Sequence, residues 1–176
     1  MKLKNFRPNN TSTIHQELKN FYEISKLRFP KPIEGFYLEN NGGRFSTFII
    51  KNTQEPWIAY SLFEYYISIE RIYDIDEIYE KYQYLREEAS IYVDIASELF
   101  YLNNMIPITD VDSVDCICVC CKGEDTGKIY LVEWISSQSQ GILPLPQQLI
   151  ANSFEELLEK MVLEEDDEEY QRLIRM

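Results

Sequence analysis

The amino-acid sequence predicts an α+β fold, one domain with a mixed or mainly antiparallel sheet flanked by helices. Three observations carry this. Strand-like segments gather late in the chain, with helical periodicity before and after them rather than alternating with them. A short apolar helix pattern from Phe36 to Glu39 stops at Asn41-Gly42-Gly43, and a strand pattern opens at Arg44. Asn and Gly tolerate the left-handed conformation that closes a helix, and two glycines let the chain fold back beneath it. The turn Gly123-Glu124-Asp125-Thr126-Gly127 separates two apolar strand patterns, as in a hairpin.

In chain order, Thr13-x-x-Gln16 has the spacing of a capping box, and Ile14, Leu18, Phe21 and Ile24 follow at helical intervals. That helix must end before Phe29-Pro30-Lys31-Pro32, because a residue preceding proline avoids helical geometry. Pro32 suits the first turn of the next helix, where a missing N–H costs nothing. This helix carries Ile33, Phe36 and Tyr37 inward. In the strand that follows, Phe45, Thr47 and Ile49 alternate with Phe48 and Ile50. Trp57 to Phe63 is a further apolar segment, and Tyr65 to Ile69 is aromatic and β-branched enough for a strand. Asp74-x-x-Glu77 opens a helix with a stripe of Ile75, Ile78, Tyr79, Tyr82 and Leu85. Helical spacing resumes at Ile91, Ile95, Leu99 and Leu102, compatible with one long helix or two.

The second half predicts a strand at Met105–Ile108, a turn at Asp110–Asp112 and a central strand over Val114–Cys121. Its hairpin partner runs from Lys128 to Trp134, and Ser136–Pro146 reads as a polar loop. The last helix starts at Asn152-Ser153 with Glu156 as capping partner, and Phe154, Leu157, Leu158 and Met161 form its stripe. The expected organisation is a single domain over 1–176, with its core in 13–163 and an acidic helical extension over 164–176.

Thirty acidic residues against 17 basic ones give a formal charge of -13, which disfavours nucleic-acid backbones and favours basic partners. No apolar run approaches the roughly 18 residues that span a bilayer. The basic N-terminus lacks the apolar stretch of a secretory signal, so the expected location is the cytoplasm, without membrane attachment. Cys116, Cys118, Cys120 and Cys121 sit in one strand pattern, where ligands spaced two apart cannot converge on one tetrahedral ion. They read as reduced, small hydrophobes. His15 has no serine, cysteine or metal-ligand partner at useful spacing. No phosphate loop, nucleophile elbow or zinc motif is present, so the expectation is a non-enzyme without cofactor.

Several stretches, taken in order, resemble the SUKH superfamily of bacterial immunity proteins, related to yeast cell-wall-assembly regulators of the SMI/KNR type. They are Phe29-Pro30-Lys31-Pro32-Ile33-Glu34-Gly35-Phe36-Tyr37-Leu38, the Asn41-Gly42-Gly43 stop, and Ile106-Pro107-Ile108-Thr109-Asp110. Gly127-Lys128-Ile129-Tyr130 with Trp134, and Asn152 to Leu158 with Phe154 at its centre, complete the set. Phe29 stands where Leu is usual, Gly35 where a helix former is expected, and Glu64–Tyr101 is longer than the family minimum.

The resemblance implies a protein that binds a cognate polymorphic or contact-dependent toxin domain and blocks it, nucleases being common among such toxins. A cytoplasmic regulatory scaffold of the yeast type is the second reading, and a small metal enzyme using the acidic cluster the third. Residues proposed to meet a basic partner are Asp110, Asp112, Asp115, Glu124, Asp125, Glu164 and Glu165. The fold signature is Pro30, Asn41, Gly42, Gly43, Gly127, Trp134 and Phe154.

Overall fold

The computed structural model describes residues 6–51, 66–91, 103–111, 115–132 and 147–173. After a two-residue strand, β1 (Arg7–Pro8), come helices α1 (Ile14–Ser25) and α2 (Lys31–Asn40). Strands β2 (Gly43–Lys51) and β3 (Tyr66–Ile72) lead to helix α3 (Ile75–Ile91). Four strands follow: β4 (Met105–Asp110), β5 (Cys116–Cys120), β6 (Ile129–Val132) and β7 (Gln147–Ala151). The chain closes with helix α4 (Phe154–Lys160), strand β8 (Val162–Leu163), a 3-10 turn at Glu164–Asp166 and helix α5 (Glu168–Leu173). The predicted segment from Trp57 to Phe63, the stretch from Ile95 to Leu102, the loop from Ser136 to Pro146, and Asp112 and Trp134 lie outside the described residues.

The α+β class holds, with two antiparallel four-stranded sheets where the sequence suggested one. The first has the order β1-β2-β3 with β8 added on β2, and the second runs β4-β5-β6-β7. A backbone bond from Tyr73 N to Ile108 O (2.9 Å) joins the end of β3 to β4. The Thr109 hydroxyl, buried with its residue, donates to Arg71 O at 2.8 Å along the same seam. Strand β5 is interior, as expected, and buried on both faces. Its Ile117 and Val119 join the main core while the three cysteines alternate with them.

Helix α1 departs from its predicted start and stripe. The Thr13 side chain makes no capping bond; its carbonyl accepts from Gln16 N and Glu17 N while its hydroxyl turns to Glu17. Ile24 is 50% exposed, because Ser25 falls four residues after Phe21 and takes the inward position. Buried Ser25 is satisfied by the Leu27 backbone around Lys26, which stands in the left-handed region.

The β2 alternation also fails locally. Phe45 to Thr47 bulge opposite Glu70, between the pairs Arg44–Arg71 and Phe48–Ile69. The extra residues bring Phe45 and Phe48 together, rings 5.3 Å apart and edge to face, although their spacing put them on opposite faces. Strands β1, β7 and β8 were not foreseen. The helix α4 stops at Lys160, and Val162–Leu163 pairs with β2 at Ile49 and Phe48 before the acidic residues begin.

Three helix boundaries do follow their sequence signals. Pro32 sits in the first turn of α2. Asp74 Oδ1 accepts from Glu77 N (2.8 Å) and Glu77 Oε2 from Asp74 N (3.0 Å), a complete capping box for α3. Ser153 Oγ accepts from Glu156 N at 3.1 Å, while Glu156 reaches back to Asn152 N. The Glu156 carboxylate, on Lys160 and Asn152, is held down to about 2.

One core group is out of balance. Tyr37 is fully buried, its ring stacked 4.7 Å from Phe29, yet its hydroxyl has no hydrogen-bond partner among the described residues. Burial, then Asp74 and Glu77, push its phenol up, so it stays neutral. Replacing Tyr37 with Phe keeps the stack and deletes a desolvated hydroxyl, so urea unfolding should show a gain of about 1 kcal/mol. A clear loss of stability in Tyr37→Phe would mean that the hydroxyl is bonded after all.

Candidate functional site

The Asn41-Gly42-Gly43 turn shows how the sequence fixes distant elements. Asn41 closes α2 in the left-handed region, with φ of 47°. Its side-chain Oδ1 simultaneously accepts from Ile75 N at 3.1 Å, so one residue ends α2 and caps α3. The following strand enters beside Tyr73, which brings β3, α3 and β4 together around Arg71.

The Arg71 guanidinium holds Asp110 in a two-point pair, Nη2 to Oδ2 at 3.0 Å and Nε to Oδ1 at 3.3 Å. Its Nη1 bonds Glu77 at 3.0 Å, and its Cζ lies 5.0 Å over the Tyr73 ring. Hydrogen bonding to Asp110 is the main cause that raises Arg71 further above its ordinary value. Asp110, proposed from sequence as a partner contact, is therefore occupied within the seam between the sheets. The three charged side chains keep roughly a third of their exposure, so screening limits the pair. A double-mutant cycle on Arg71→Met and Asp110→Asn should give a coupling of about 1 kcal/mol in urea unfolding. Additive losses would show that the pair is geometric only.

The other proposed contacts are dispersed. Asp125 in the β5–β6 turn is ion-paired with Lys128, which holds its carboxylate below the usual range. Glu124 beside it is exposed, Asp115 is half-buried at the start of β5, and its carbonyl accepts from Val111 N. Glu164 and Glu165 fall in the 3-10 turn after β8, with Glu165 exposed. Of the fold signature, Pro30 precedes α2, Phe154 is buried at the start of α4, and Gly127 N donates to Cys120 O at 2.8 Å.

A denser acidic surface emerges on α3. Asp76, Glu80, Tyr84 and Glu87 recur at helical spacing and are all exposed, with Tyr84 at 45%. Burial, then the negative charges of Glu17 on α1, Asp74 and Glu80, raise the Asp76 carboxyl. The charges of Glu17 on α1, Asp74 just before α3 and Glu80 on α3 thus all act on the Asp76 carboxyl. The inward stripe of α3 was legible, and its complement on the same wheel is this outward one. What one helix cannot reveal is that Glu17, some sixty residues away, joins it.

Charge is also unevenly spread along the chain. Residues 1–51 carry nine Lys/Arg against four Asp/Glu, and residues 52–176 carry eight against 26. The acidity belongs almost entirely to the part after β2.

The thiols offer little reactivity. None of the four cysteines is in a disulfide, and burial pushes each thiol up, Cys116 to about 11. They remain protonated near neutrality, whereas the thiolate is the nucleophile and metal ligand. Among the described residues no group of three or more His, Cys, Asp or Glu is placed to hold a metal ion. Nor is any helix there long and apolar enough to cross a membrane.

No curated protein matches the chain. The model of the SMI1 / KNR4 family (SUKH-1) matches residues 15–160, and the chain belongs to that family.

Proposed function

We propose that this protein is an immunity protein that neutralises a cognate toxin domain in the cytoplasm by binding it directly, without catalysis. Membership of the family supports the general reading. The observation that carries the choice of partner is the exposed stripe of Asp76, Glu80, Tyr84 and Glu87 along α3, on a chain of charge -13. Neighbouring negative charges raise the Asp76 carboxyl, and an incoming cationic surface relieves that repulsion. Tyrosine adds contact area and a hydroxyl at small entropic cost.

The toxin domain that fits is basic, as a nuclease must be to hold a phosphate backbone. Long-range attraction would steer it onto the acidic face, and the bound protein would then cover the cleft meant for substrate. The test is co-expression with the toxin encoded beside this chain. Growth should be restored and a stoichiometric complex isolated. The double variant Asp76→Lys and Glu80→Lys should slow association about tenfold at low salt and less at high salt. Toxicity that persists while the folded protein accumulates would overturn the proposal.

A further inference from the structure

Helices α1 and α2 leave between them an open groove of about 320 Å3, on the opposite side of α1's charge pattern from Glu17. Leu18, Tyr22 and Leu38 supply its apolar lining, and His15, Lys19 and Arg28 its basic groups. Tyr22 is fixed from two directions. Its hydroxyl donates to Glu34 at 3.1 Å, and the Arg28 guanidinium carbon lies 5.4 Å from its ring centroid. Two acids share the lining, Glu34 half-buried against the Tyr22 hydroxyl and Glu23 exposed.

The surrounding surface is cationic against the trend of the molecule. Lys19, Lys26, Arg28 and Lys31 are all exposed, against Glu23 and the half-buried Glu34. One large aliphatic of the lining stands exposed, Leu38 at 37%. Apolar lining with a basic margin is the complement of an acidic amphipathic segment. Concavity decides against a membrane, since a flat lipid surface cannot enter a groove, whereas one or two side chains of a helix can.

We propose that this groove docks an acidic amphipathic segment of a partner protein. Leucine-type side chains of that segment rest on Tyr22 and Leu38, above the buried Leu18, and its carboxylates meet Lys19 and Arg28. The groove is separate from the acidic α3 surface, so the chain can hold a basic partner on one side and an acidic one on the other. Nothing in this proposal depends on the toxin.

The probe is a fluorescein-labelled peptide of two leucine heptads with glutamate at the outward positions, titrated by anisotropy. Its lysine counterpart and phosphatidylserine vesicles serve as competing arms. The acidic peptide should bind saturably at low salt, weaken as salt rises, and shift amide resonances between His15 and Leu38. The double variant Lys19→Glu and Arg28→Glu should bind about tenfold more weakly, and Lys19→Glu alone, which leaves the Arg28–Tyr22 contact in place, should weaken binding with an unchanged melting temperature. Leu38→Ala, at an exposed position, should weaken binding without altering its salt dependence. Absence of saturable binding, binding that survives the double charge reversal, or capture of vesicles with the peptide left free would each overturn the proposal.

Discussion

Gly42→Val should lower stability by on the order of 4 kcal/mol, which in a chain of this size is a fall in melting temperature of roughly 8–16 °C. Two costs add. Gly42 has φ of 68°, where an L side chain is strained by about 1–2 kcal/mol. A Cβ placed there would also lie 2.2 Å from Tyr73 O and 2.7 Å from Asp74 N. Those atoms are backbone, and that backbone is pinned on both sides. Asp74 is locked to Glu77 in the α3 capping box, and Ile75 N donates to Asn41. The chain cannot retreat without undoing one of the caps.

Gly123 supplies the comparison. It has φ of 85°, yet nothing lies within 4 Å of the added Cβ, so Gly123→Ala carries the strain without the collision and should cost about 1 kcal/mol. Calorimetric melting of the two variants separates the causes. A Gly42→Val protein that melts no lower than Gly123→Ala would remove the close approach as the reason for the glycine.

The same turn marks how far the sequence could be read. Asn41-Gly42-Gly43 announced a helix stop from composition alone, because the left-handed preference is local. That Gly42 must also admit Tyr73 O depends on a strand thirty residues later. The Asp74–Glu77 box was legible for the same local reason, whereas the Arg71–Asp110 pair spans 39 residues and no local rule places it. Periodicity failed where the backbone left its regular path. The β2 bulge turned Phe48 toward Phe45, and the heptad-like run of Ile14, Leu18, Phe21 and Ser25 displaced Ile24 into solvent. Strand β7 was hidden because Gln147 and Gln148 continue a polar composition, and its pairing with β6 is what makes them a strand. On the acidic face, each carboxylate was visible in the sequence, but their meeting across α1 and α3 was not.

Phe154→Ala should cost about 4 kcal/mol, the range for deleting a buried aromatic ring, and it should do more than soften the core. Phe154 is 4% exposed and meets Phe36 of α2 edge to face at 5.1 Å. Its helix needs no help to remain helical at its start, since Ser153 and Glu156 satisfy the first N–H groups. What the ring supplies is attachment of α4 to α2, while Leu157 and Met161 are buried in the core. Directly beyond Met161, Val162 and Leu163 pair with Ile49 and Phe48, covering that stretch of the β2 edge. An α4 that lifts away takes β8 with it and exposes a strand rich in Phe and Ile, the kind of edge that recruits other chains. Consecutive amides point to opposite edges, so in Phe154→Ala whichever of the Phe48 and Ile49 amides faces β8 should exchange faster than that of Ile117, with concentration-dependent light scattering below the melting temperature. Phe154→Leu, which keeps most of the volume, should lose under about 1.5 kcal/mol and scatter little. If Phe154→Ala loses stability evenly, with the amide that faces β8 exchanging no faster than Ile117, then α4 and β8 do not act as one unit.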